Sequence, residues 1–138
     1  MERVTGIGGV FFKARDPAQL RAWYRDQLGI AAMEEWGAAF HWRELDRPER
    51  TGYTVWSPFA RDTRYFEPSE APFMINLRVA NLARMLAQLR AAGVQVDEKV
   101  EASEFGRFGW FMDPEGNKVE LWEPPEAAAG EAAGGEAK

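Results

Sequence analysis

The run Lys118-Val119-Glu120-Leu121-Trp122 sets one carboxylate between apolar neighbours, directly after the turn Asp113-Pro114-Glu115-Gly116-Asn117. Side chains of a strand alternate between its two faces, so Glu120 points either to water or into the fold. Facing inward, it pairs with Arg78 or Lys118, hydrogen-bonds a polar ligand, or works as a general acid or base. The sequence leaves these readings and the solvent-facing one open. His41 is the only histidine and there is no cysteine, so thiolate chemistry, disulfides and cysteine-based zinc sites are excluded. Ser57 and Ser103 lack the partners of a nucleophilic triad. Gly6, Gly8 and Gly9 do not match a phosphate loop and read as strand glycines that admit close backbone approach.

The elements that position these residues come in two sets. Val4 to Arg15 is a β-type run followed by Asp16-Pro17, a helix cap and first turn, and Gly29 stops the helix. Phe73 to Val79 is a second β-type run, with Asn81 as cap, Leu82, Met85, Leu86 and Leu89 as the apolar stripe, and Gly93 as the stop. Asp16 and Asn81 lie 65 residues apart, and Gly29 and Gly93 lie 64 apart. Thr54-Val55-Trp56-Ser57-Pro58 parallels Glu120-Leu121-Trp122-Glu123-Pro124 at an offset of 66. The spacing predicts an α+β fold of tandem βαβββ modules, a curved mixed sheet with helices on its outer face and a cup on the other.

The modules are expected at about 4–58 and 73–123, joined by a linker at 59–72, within one domain over residues 1–125. In the first, Ala31–Glu44 breaks at Gly37 into two short strands. By alternation, Val10, Phe12, Ile75, Leu77 and Val79 cover the helices. Gly9, Phe11, Lys13, Met74, Asn76 and Arg78 then face the cup, as do Thr54 and Trp56 of one closing strand and Lys118, Glu120 and Trp122 of the other. The Ala/Gly/Glu-rich stretch 126–138 has no large apolar residue to bury and reads as a disordered tail.

The chain has 138 residues, 46% hydrophobic and 13% aromatic, with a net charge of -5. One packed core is within reach of that length. The acidic balance argues against nucleic acid and anionic membrane partners. No segment is long and apolar enough for a signal peptide or a membrane span, so a cytoplasmic location is expected.

Three stretches, GIGGVFFKARDPAQLRAWYRDQLGI, INLRVANLARMLAQLRAAGV and above all GRFGWFMDPEGNKVELWEPP, resemble the vicinal oxygen chelate superfamily of glyoxalases, bleomycin-resistance proteins and extradiol dioxygenases. The likeness spans about residues 4–125 and implies a U-shaped cup and a homodimer. Metal-dependent members of that superfamily carry one ligand on each of four strands, and the resemblance places those positions at Gly9, Thr54, Met74 and Glu120. Only Glu120 is a competent ligand there, and His41 reads as a strand-surface or hydrogen-bonding residue. The resemblance therefore implies a metal-independent, cofactor-free protein that binds a small, partly aromatic or apolar molecule. Its expected contacts are Phe11, Thr54, Trp56, Met74, Asn76, Trp110, Glu120 and Trp122. The alternatives are an enzyme using Glu120 as general acid or base, a metal-dependent lyase or dioxygenase, and a purely structural dimer module.

Overall fold

The computed structural model describes residues 1–125, and the stretch 126–138 lies outside the described residues. The first module runs β1 (Val4–Ala14), α1 (Pro17–Leu28), β2 (Ala38–Arg43) and β3 (Thr51–Ala60). The second runs β4 (Phe73–Val79), α2 (Leu82–Ala91), β5 (Glu101–Ser103), β6 (Gly106–Met112) and β7 (Lys118–Glu123). All seven strands form one open sheet in the order β2-β3-β1-β4-β7-β6-β5. Within each module the opening and closing strands are parallel, β1 with β3 and β4 with β7. The modules meet where β1 and β4 run antiparallel.

Local chemistry starts and stops the helices where the sequence indicates. The Asp16 carboxylate accepts the Gln19 N–H at 3.0 Å, Pro17 opens α1, and Gly29 ends it in the left-handed region at φ 69°. The Asn81 side chain accepts the Arg84 N–H at 3.0 Å and starts α2. Leu82, Met85 and Leu86 of α2 are buried against Val79 and Leu121, a contact worth on the order of 6 kcal/mol of transfer free energy. By contrast, α1 buries none of its residues. Its hold on the sheet includes Tyr24 against Trp56, which in turn packs on Phe12, with centroids 4.7 and 5.3 Å apart.

The first module departs from the expected pattern. Of the two short strands expected between Ala31 and Glu44, only Ala38–Arg43 forms, and the earlier run is reduced to a single bridge between Glu34 and Gly37. Gly37 has φ 134°, and a Cβ there would meet the Trp56 carbonyl oxygen at 1.9 Å, so the chain turns too tightly for a longer pairing. β3 also continues through Pro58 to Ala60, because Tyr53, Val55, Ser57 and Phe59 all bury the same face. No helix among the described residues is long and apolar enough to cross a membrane.

Candidate functional site

Register fixes which side chains meet. Val55, Gly9, Asn76, Glu120 and Trp110 are successive partners across β3, β1, β4, β7 and β6. The residues beside them on that face build one aromatic cluster. It contains Phe11, Tyr53, Phe59, Phe66, Met74, Phe108, Trp110 and Trp122, each 6% exposed or less. The expected cup walls are present, but they touch one another. The segment after β3 folds over the sheet, with the Phe66 ring against Phe59 at 5.2 Å and the Tyr65 ring stacked on Phe59 at 5.9 Å.

Glu120 sits at the centre of this apolar cluster with no exposed surface. Asn76 Nδ2 donates to its Oε1 at 2.6 Å, Trp110 Nε1 donates to its Oε2 at 3.0 Å, and the Tyr65 hydroxyl donates to the same Oε2. Such donors are what a buried carboxylate requires, since water cannot reach it. Burial first, and the Glu120 charge second, push the Tyr65 phenol far above its ordinary value, so it stays a donor. Lys118 Nζ donates to the Tyr65 carbonyl at 2.8 Å and lies 5.2 Å from the Tyr65 ring. Burial lowers its pKa, against the pull of Asp97 and Glu120. A cavity of about 220 Å³ borders this centre, lined in part by Pro68, Trp110, Met112 and Lys118.

Phe11, Met74, Asn76, Trp110, Glu120 and Trp122 are thus brought together as the sequence indicates. Thr54 and Trp56 are not. The Thr54 hydroxyl donates to the Ile7 carbonyl at 2.6 Å and accepts the Trp42 indole N–H at 2.8 Å. Trp56 lies on the helix side with Phe12 and Tyr24. The strand partners explain the error: Phe11 pairs with Ser57 as Asn76 pairs with Glu120, so Ser57 is the counterpart of Glu120. The match between Trp56-Ser57-Pro58 and Trp122-Glu123-Pro124 pointed three residues away from it. Tyr65 was missed altogether; its one signal in the sequence is an aromatic pair, Tyr65-Phe66, within a polar linker.

The four family ligand positions, with Ser57 replacing Thr54, do not fit a divalent ion. A Cβ on Gly9 would meet the Phe11 ring at 2.7 Å, so that ring fills the place of a longer side chain. The Ser57 hydroxyl donates to the Trp36 carbonyl, and Met74 is enclosed in the aromatic cluster. His41 is exposed on β2, with three strands between it and β7. Among the described residues, no group of three or more His, Cys, Asp or Glu is placed to hold a metal ion.

The family model described as a glyoxalase-like domain matches residues 9–122. The chain belongs to the glyoxalase-like family. Among solved structures, this glyoxalase-like chain is similar to methylmalonyl-CoA epimerase from Mycobacterium tuberculosis, with a TM-score of 0.58 and 20% identity over 91% of this chain and 93% of that one. It is also similar to the Mn(II)-bound glyoxalase from Novosphingobium aromaticivorans, with a TM-score of 0.58 and 22% identity over 88% of this chain and 40% of that one. A third similar structure is a glyoxalase/bleomycin resistance protein/dioxygenase superfamily member from Vibrio splendidus 12B01, at a TM-score of 0.52 and 13% identity over 88% and 97% of the two chains. At these identities the likeness shows the glyoxalase-like fold. A comparison with curated protein sequences gave no match.

Proposed function

We propose that this glyoxalase-like protein binds a small molecule in its aromatic cup without a metal ion, through Glu120 as the anchoring acceptor. The observation that carries this reading is the source of the three donors to Glu120. Asn76 and Trp110 come from the sheet, whereas Tyr65 comes from the segment joining the modules. A ligand with a flat apolar body and an N–H or O–H donor replaces the Tyr65 hydroxyl. It enters by the cavity beside Trp110 and Lys118 and stacks among Phe11, Phe59 and Trp110.

Aromatic amines and phenols, titrated against tryptophan emission, test this directly. At least one compound is expected to quench saturably. Tyr65→Phe removes the competing donor from a charged acceptor, so it is expected to tighten that compound by about tenfold. A panel with no saturable member, or weaker binding by Tyr65→Phe, overturns the reading. Contact between the Tyr65 hydroxyl and Glu120 also favours a second reading, in which the pair moves a proton on a bound substrate. Glu120→Gln distinguishes the two: turnover that disappears while binding persists makes Glu120 an acid or base. A homodimer belongs to the same proposal, supported by the exposed apolar side chains of Ile7, Phe40 and Trp23. Light scattering at the mass of one chain removes it.

A further inference from the structure

Arg78, two residues beyond Asn76 on the same face of β4, has a role that the Glu120 centre does not use. It is only 5% exposed, yet no carboxylate lies within salt-bridge distance of it among the described residues, and its Nη1 is buried without a hydrogen-bond partner there. Its guanidinium carbon lies 4.9 Å from the Trp122 ring, 5.1 Å from Trp42 and 5.9 Å from Tyr53. Three aromatic rings stabilise a cation and fix its direction, but they cannot accept the in-plane N–H bonds of the guanidinium. Gly8 keeps the place open, since a Cβ there would lie 3.0 Å from Arg78 Cγ and 2.9 Å from Trp122 Cε3.

Arg78 also lines a cavity of about 420 Å³ together with Thr5, Glu44, Arg50, Ala80 and Glu123. Ala80 sits just before α2, whose N-terminal end carries partial positive charge. Of the two carboxylates, Glu123 is engaged: its Oε1 accepts the Leu82 N–H at 2.7 Å. Glu44 acts on Arg78 only at longer range. Two arginines, Arg78 and Arg50, thus line one cavity, and the unused Nη1 donor of Arg78 is buried beside it.

We propose that this cavity is an oxyanion site, taking the carboxylate or phosphate of a small molecule against Arg78 and Arg50. The site does not use Glu120, although Trp122 borders both centres. Trp42 and Trp122, which flank Arg78, make it directly measurable in the full-length protein. Tryptophan emission is titrated with sodium phosphate and, separately, with sodium acetate, with chloride adjusted to hold ionic strength. A saturable change is expected with at least one anion; phosphate alone assigns a phosphoryl group, acetate alone a carboxylate.

Two variants outside the buried cage make the test independent of whether an Arg78 variant folds. Arg50→Gln is expected to weaken the anion by about fivefold, and Glu44→Gln to tighten it by a similar factor. Circular dichroism confirms that both are folded. No saturable response to either anion overturns the site, as does a response that neither variant changes.

Discussion

Glu120→Leu is expected to lower the unfolding free energy by about 4 kcal/mol, because it leaves three donors, two of them buried, without that acceptor. The Asn76 amide, the Trp110 indole and the Tyr65 hydroxyl all direct hydrogens at the carboxylate. Asn76 and Trp110 are buried and regain no water, whereas Tyr65 is partly buried. Glu120→Gln behaves differently. The Asn76 Oδ1 has no hydrogen-bond partner among the described residues. Turning that amide over presents an acceptor to the new glutamine N–H, while the Tyr65 and Trp110 bonds survive on the remaining oxygen. Its cost is expected to be about 1 kcal/mol, so that the two variants separate clearly in urea unfolding. Equal stability of Glu120→Leu and the unaltered chain would show that burying the charge costs as much as its bonds return.

The second large effect is expected at Trp122, where the aromatic cluster and the Arg78 cage share one side chain. The indole stacks on Phe108 at 5.9 Å and 6°, meets Tyr53 edge-on at 5.3 Å, and donates to the Phe105 carbonyl at 2.7 Å. Trp122→Ala opens a cavity under all of these and is expected to cost about 5 kcal/mol. Trp122→Phe keeps the stack and loses the indole hydrogen bond, for about 1.5 kcal/mol. Chemical denaturation of both variants measures the difference. If the two cost the same, the hydrogen bond to Phe105 rather than packing holds this end of the sheet.

The parts that sequence revealed are those where local rules and tertiary packing agree. Asp16-Pro17, Gly29 and Asn81 set the helix ends by capping, which needs no distant partner. Alternation placed Phe11, Asn76 and Glu120 on one face because the seam is in regular register from Gly9 to Phe12, past the shifts between Val4 and Gly6 and between Ile7 and Gly9, and the second module's strands pair regularly. It failed for Thr54 and Trp56, since the identity of a Trp-x-Pro pattern outweighed a pairing that only the sheet reveals. An odd shift of register turns every side chain of a strand to the other face, and this one moved the counterpart of Glu120 from Ser57 to Thr54. Tyr65 could not be read from periodicity, because it lies in an irregular segment whose path is fixed by rings on β3 and β6. The closed cup follows from the same gap: its walls were visible in sequence, but the side chains that fill it come from the linker.

The order of strands also bears on how the chain reaches this state. β1 is an interior strand, paired on both sides, yet neither of its neighbours joins it by a hairpin. β3 pairs with it in parallel after an intervening helix and strand, and β4 pairs with it from the other module, as in Val10 with Ile75. Both contacts require long loops to close before any pairing energy is gained, which places folding in the slower range for domains of this size. During that interval Val10-Phe11-Phe12 is an apolar strand with two open edges. The nascent chain is therefore most exposed to aggregation through β1, and a chaperone that holds that strand until β3 and β4 are made would act where the topology delays the chain most.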